Sequence, residues 1–188
     1  MAPMPDKKRV LVPLAEGFEE IEAVAIVDVL RRAGVEVVVA SLKSLAVSGA
    51  HAIELRADVE FGKVDLATID MLVLPGGMPG TTNLMEDERV IAAVKSLNSK
   101  KRALAAICAA PMVLARAGVI SKVAVTSFPG VRSKLGDADV RDAPRVIKSG
   151  TITTSQGAGT AIEFALELVS QLCGAPKAEE LRVALIAR

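Results

Sequence analysis

The sequence predicts an α/β fold, with a mostly parallel sheet covered on both faces by helices. Three observations predict it. Short apolar runs suited to buried strands alternate with longer segments of helical periodicity. Glycines close the helical segments, at Gly34, Gly118 and Gly174. A chain of 188 residues with no internal repeat, low-complexity tract or long linker suits one domain around one substantial core.

Taken in order, Arg9–Leu14 reads as a buried first strand. Residues 19–33 have helical periodicity, and residues 35–40 form a second strand. Residues 47–61 alternate only in part, at Ile53, Leu55, Ala57 and Val59, which suggests an extended excursion or a hairpin. Residues 70–74 are a third strand of parallel type, ending at Pro75-Gly76-Gly77. Residues 89–97 are helical, Ala103–Ile107 is a fourth strand, and residues 111–117 are a helix. Residues 123–127 and 145–154 supply further strands, residues 160–173 an apolar helix, and residues 178–186 close the chain. In such sheets chemistry gathers at the carboxyl ends of the strands.

Composition narrows the function classes. Apolar residues make up 51% and aromatics only 2%, with no Trp or Tyr, so aliphatic packing must build the core. The 23 basic and 22 acidic residues are mixed along the chain and leave a net charge of +1. Without a basic face or stacking aromatics, no nucleic-acid partner is expected. The first nine residues are too polar for a signal peptide, and the longest uncharged run, residues 103–115, is too short to span a membrane and contains Pro111. No membrane partner is expected, and two cysteines are too few for a disulfide framework, so the expected setting is cytoplasmic.

In such a setting each cysteine answers to packing or to chemistry. Cys108 follows an apolar strand, with Ala106 and Ala110 two residues to either side and Pro111 at the first helical position. Small neighbours at that spacing suit a nucleophile elbow, and a following helix would lower the thiol pKa. The alternative is an inert cysteine on an apolar strand. Cys173 ends an apolar helix with no motif around it and reads as packing.

Glu22 shares a helical stripe with Ile26, Val29 and Ala33, and a carboxylate on a core stripe must be neutral or paired. It is either a hydrogen-bond donor to a thiolate or, like Glu19 and Glu20, an acid favouring a helix N-terminus. Gly76 and Gly77 let the backbone approach a ligand and offer N–H groups to an oxyanion, or form a plain turn. No glycine-rich turn here satisfies a dinucleotide fingerprint, and the lone His51 and scattered acids show no ligand spacing, so neither cofactor nor metal is expected. Ile21, Val24 and Val27 lie off the core stripe of their helix and leave apolar surface for a homodimer.

Five segments together resemble the ThiJ/PfpI superfamily, specifically its parkinsonism-associated deglycase and YajL-like branch. They are Glu19-Glu20-Ile21-Glu22-Ala23-Val24, Val27-Asp28-Val29-Leu30-Arg31-Arg32-Ala33-Gly34, Leu74-Pro75-Gly76-Gly77, Ala105-Ala106-Ile107-Cys108-Ala109-Ala110-Pro111 and Thr154-Ser155-Gln156-Gly157-Ala158-Gly159-Thr160. The resemblance implies a flavodoxin-like three-layer sandwich and a homodimer. It makes Cys108 the nucleophilic, oxidation-prone cysteine, Glu22 its protonated partner, and the N–H groups of Gly77 and Ala109 an oxyanion hole. Gly76, Arg32 and His51 become candidate substrate-binding residues, although His51 also reads as a solvated loop histidine and Arg32 as a favourable charge at a helix C-terminus. The substrates implied are small reactive aldehydes or glycated molecules, handled by glyoxalase III-type or deglycase chemistry, with a protective role in oxidative stress. The other role implied is a redox sensor or chaperone whose Cys108 is oxidised to sulfinate. Some relatives place a histidine where this chain has Phe128, so Glu22 carries the local acid/base work.

Overall fold

The computed structural model describes residues 7–187. Its strands and helices, in chain order, begin with β1 (Arg9–Leu14), α1 (Glu20–Arg32) and β2 (Glu36–Ser41), followed by three short strands, β3 (Ala46–Ser48), β4 (Glu54–Arg56) and β5 (Val59–Glu60). Next come β6 (Met71–Leu74), α2 (Gly80–Glu86), α3 (Glu88–Ser99), β7 (Ala103–Ile107) and α4 (Pro111–Arg116). The chain then runs through β8 (Ala124–Val125), β9 (Asp139–Val140), β10 (Val146–Ser149), β11 (Ile152–Ser155), α5 (Ala161–Cys173) and α6 (Ala175–Ala184).

Seven strands form the main sheet in the order β10-β11-β7-β6-β1-β2-β5. All neighbours are parallel except the β10–β11 pair at one edge. Alternation along β1 explains the layering, because successive side chains leave opposite faces of a strand. Val10, Val12 and Leu14 join Ile26 of α1 and Phe164 and Leu168 of α5 in one apolar layer. Leu11 faces the other way, into a layer with Leu84 of α2, Ile91 and Val94 of α3 and Leu114 of α4. The register pairs Leu74 with Ala106 and Ile107 with Ser155. It therefore brings the carboxyl ends of β6, β7 and β11 to one edge, beside the first turn of α1.

Several expected elements differ. Residues 145–154 are not one strand: Gly150, at φ +60°, turns the chain between antiparallel β10 and β11. Residues 47–61 contain the β3–β4 hairpin, after which β5 joins the edge of the main sheet. The segment at 123–127 yields only β8, which pairs with β9 in a separate two-stranded sheet. Helix α2 has no counterpart in the sequence reading. Its sequence, GTTNLME, is short and β-branched, but Thr81 N–H bonds Gly77 O at 2.8 Å and Leu84 is buried beneath it. The closing segment is helix α6, which packs against α5.

Candidate active site

Cys108 occupies the turn between β7 and α4 at φ +62°, a left-handed conformation that costs a non-glycine residue energy. Its N–H donates to Ser155 O at 3.0 Å and its carbonyl accepts from Phe128 N at 2.8 Å. The end of β11 and the loop after β8 thus hold the strained turn from both sides. Ala106, Ala109 and Ala110 are buried around it and leave it room. This is the strand–turn–helix geometry of a nucleophile elbow.

Glu22 reaches the same point from α1, where Glu19 caps the helix by accepting Glu22 N–H at 2.7 Å. The Glu22 side chain is wholly buried. Its Oε2 accepts from Gly76 N at 2.8 Å, while Oε1 is buried without a hydrogen-bond partner. Burial pushes the carboxyl up to about 7, against the opposing pull of the Gly76 N–H and Cys108.

The thiol does not follow the expected direction. Burial first, then the charge and hydrogen bond of Glu22, push Cys108 up to about 12, while the N–H groups of Ala109 and Gly77 pull the other way. The expected lowering is therefore corrected. Helix α4 has only six residues, and desolvation together with an adjacent carboxylate outweighs its dipole. The two groups compete for a single negative charge and titrate as a pair. With the proton on Glu22, the charge rests on sulfur, facing the N–H groups of Gly77 and Ala109. With the proton on sulfur, it rests on the carboxylate at Gly76.

The glycines are sterically required. A methyl on Gly76 would lie 2.7 Å from both Cys108 Cβ and Glu22 Oε2. Gly77 has φ +92°, and a methyl there would lie 2.3 Å from Glu19 N. On the outer side, a methyl on Gly157 would sit 3.9 Å from the Phe128 ring and 4.0 Å from Cys108 Sγ. The half-exposed Phe128 ring therefore flanks the approach to the sulfur.

Other expected residues lie elsewhere. Arg32 pairs with Asp28 at 2.7 Å near the far end of α1, ten residues and about 15 Å of helix from Glu22. His51 is exposed and its Nδ1 lies 2.8 Å from Glu20 Oε2, so it forms no pair with Cys108. Glu20 is not merely a helix-end acid: it is 4% exposed and accepts the backbone N–H groups of His51 at 2.6 Å and Ile53 at 3.4 Å. Burial raises its carboxyl, but these bonds outweigh it and hold the group below its ordinary value. The same contact, through hydrogen bond and charge, raises the His51 imidazole. Nothing in the sequence joins two residues 31 positions apart. Cys173 is exposed, so its reading as a packing residue is corrected: α5 ends there with its last turn turned outward.

Glu19, Glu20 and His51 bring three potential ligand atoms within 4.8 Å of one another. Both oxygens of Glu20 are already engaged by residues 51–53, which makes this group a clamp on the loop between β3 and β4. No helix among the described residues is long and apolar enough to cross a membrane.

Comparison with known proteins identifies the family of the chain. The model of the DJ-1/PfpI family matches residues 8–171. Protein dj-1beta of Drosophila melanogaster is 39% identical over 181 residues, covering 95% of this chain and 97% of the relative. A Caenorhabditis elegans relative named glutathione-independent glyoxalase DJR-1.2 is 34% identical over 173 residues, covering 92% of this chain and 91% of the relative. The structure of oxidized Toxoplasma gondii DJ-1 aligns with a TM-score of 0.91 at 37% identity, covering 96% of this chain and 98% of that one. The chain belongs to the DJ-1/PfpI family and has the flavodoxin-like α/β fold of that structural neighbour.

Proposed function

We propose, starting from that membership, that the protein is a cysteine-dependent enzyme acting on reactive carbonyls, of glyoxalase III or deglycase type. The observation that carries this reading is the adjacency of a strained-turn cysteine and a buried carboxyl whose pKa lies near 7. With methylglyoxal, the Cys108 sulfur adds to the aldehyde carbon and its proton passes to the new oxygen, giving a hemithioacetal. Glu22 removes the hydrogen of that carbon as a proton and returns it to the adjacent carbonyl carbon, while the hemithioacetal hydroxyl proton passes to the adjacent carbonyl oxygen. The first carbon is thereby oxidised to a thioester and the second reduced to an alcohol. Water then releases lactate and the free thiol. The N–H groups of Gly77 and Ala109 are suited to hold the developing oxyanion. No redox partner is consumed, and no cofactor or metal is invoked. The glyoxalase name of the Caenorhabditis elegans relative supports the substrate class.

The setting we propose is cytoplasmic, with a homodimer as the working form and protection against oxidative stress as the role. The test is lactate formation from methylglyoxal without glutathione, measured for the parent and for Cys108→Ala. Turnover by the parent that is lost in the variant supports the reading, and an inactive parent refutes it.

Phe128 favours a second reading, because its ring stands where an imidazole base would assist turnover. In that reading two peroxide molecules, each reduced to water, oxidise Cys108 through sulfenate to sulfinate, held by the Glu22 proton. Mild peroxide that leaves Cys108 as sulfinate in a protein without turnover would select it.

A further inference from the structure

We infer that Phe128 is a specificity-determining wall which turns the Cys108 site toward 2-oxoaldehydes bearing an aryl group. This deepens the carbonyl reading and rests on it. The chain has four aromatic side chains, all Phe. Phe18, Phe61 and Phe164 are buried in the two apolar layers at 5% exposure or less. Phe128 alone among them is exposed, at 50%, and it stands beside the thiol.

Its placement is fixed rather than incidental. Phe128 N–H bonds the carbonyl of Cys108 itself, so the ring and the sulfur are carried on directly joined backbone. Pro129 follows and restricts the chain, and Gly130 lies close beneath the ring, where an added methyl would come within 3.2 Å of Cε1. Ring and sulfur border one another across a gap about one carbon wide, beside the backbone of Gly157. A methyl built on Gly157 would meet the Phe128 ring at 3.9 Å and Sγ at 4.0 Å, with no third contact inside 4 Å beyond its chain neighbours. A carbonyl carbon bonded to the sulfur carries its substituent into this space. A methyl group there would touch the ring at one point, whereas an aryl group would extend along its exposed side. Aromatic pairs gain more than their buried area alone provides.

For phenylglyoxal the chemistry balances as it does for methylglyoxal. Sulfur adds to the aldehyde carbon and the thiol proton goes to its oxygen. The hydrogen of that carbon then moves to the ketone carbon, the hydroxyl proton moves to the ketone oxygen, and water cleaves the thioester to mandelate and the thiol. The aldehyde carbon is oxidised and the ketone carbon reduced within the same molecule.

The test compares kcat/KM for phenylglyoxal and methylglyoxal, read as mandelate and lactate formed, in the parent, Phe128→Leu and Phe128→Ala. Leucine keeps apolar bulk and removes the aromatic face. The parent should prefer phenylglyoxal, and the ratio of the two constants should fall roughly two- to twelvefold in both variants, the range expected for loss of one aromatic pair. A parent without that preference, or variants whose ratio stays within about twofold of the parent, overturns the inference. A second arm needs no turnover: alkylation of Cys108 by iodoacetanilide against iodoacetamide, followed by mass. The aryl reagent should be favoured in the parent and lose that advantage in both variants. If the alkylation preference follows Phe128 while neither aldehyde is turned over, the wall stands and the enzyme reading falls. If both aldehydes are turned over and neither ratio responds to Phe128, the enzyme reading stands and the wall falls.

Discussion

Gly76 N–H donates to Glu22 Oε2 at 2.8 Å, and this single bond ties the first turn of α1 to the loop that leaves β6. It fixes which carboxyl oxygen the loop engages, while Oε1 stays buried.

Gly76→Ala should disrupt the site from its centre. Its methyl would lie 2.7 Å from Cys108 Cβ and from Glu22 Oε2, and 3.0 Å from Ile107 O. Overpacking of a tight interior costs about 1–3 kcal/mol, which urea unfolding will read as a lower midpoint. A variant with the parent's midpoint and the parent's thiol titration would contradict this packing.

Glu22→Gln should lower the Cys108 pKa, because it removes the neighbouring negative charge and keeps an N–H donor. Glu22→Ala removes the charge and the donor together, and its thiol should fall less. Hydrogen bonds to charged groups are worth roughly 1.5–3 kcal/mol, so the two variants should differ by about one to two pH units. Thiolate absorbance reads this directly in a chain without Trp or Tyr. Methylglyoxal turnover should drop sharply in both, since neither can carry the proton. Identical titrations in parent, Gln and Ala proteins would remove Glu22 from the site.

Stability should depend on pH through the same carboxyl. Its folded pKa, about 7, lies above the ordinary 4.5, so between these values the folded state binds more protons than the unfolded chain. The contribution to stability is fully present below pH 4.5 and is lost as pH rises through about 7. Relative to Glu22→Gln, which has no such proton, the parent should lose roughly 3 kcal/mol across that window. Denaturant unfolding of the two proteins at the ends of the window is the check, and parallel curves would refute a raised Glu22.

Phe128→His should place an imidazole beside the sulfur. A cationic neighbour within a few ångströms lowers an acid's pKa by about 1–3 units, so iodoacetamide should modify Cys108 about tenfold faster at neutral pH. An unchanged rate would mean that the ring position does not communicate with the thiol.

Val24→Asp should abolish self-association. Ile21 and Val24 on α1 and Ile53 near its N-terminal end are apolar and exposed, at 60%, 46% and 56%. Light scattering should give the parent about twice 19.6 kDa and the variant that mass itself. A parent that is monomeric, or a variant that still pairs, would exclude this face as the interface.

The sequence by itself determined the features that depend on neighbours along the chain. Strand and helix alternation follows from local periodicity, and the layering follows from side chains alternating along Val10, Leu11 and Val12. The small residues flanking Cys108 and the glycines after Leu74 announced tight turns, because they suit close approach of the backbone. The Glu22 carboxyl was legible as well, since a charge on an otherwise apolar stripe demands a reason.

Only the tertiary structure decided the quantities that depend on what surrounds a group in space. It set the direction of the Cys108 shift, because desolvation and the approach of Glu22 are produced by packing α1 against the ends of β6 and β7. It turned Glu20 inward to clamp residues 51–53, left Cys173 outside, and placed Arg32 at the opposite end of its helix from the thiol. Periodicity shows which face of a helix is apolar, but not which loop will lie on its first turn. Partners separated by 31 and 54 residues, as in Glu20 with His51 and Glu22 with Gly76, meet only once the sheet has formed and its register has brought their loops to one edge.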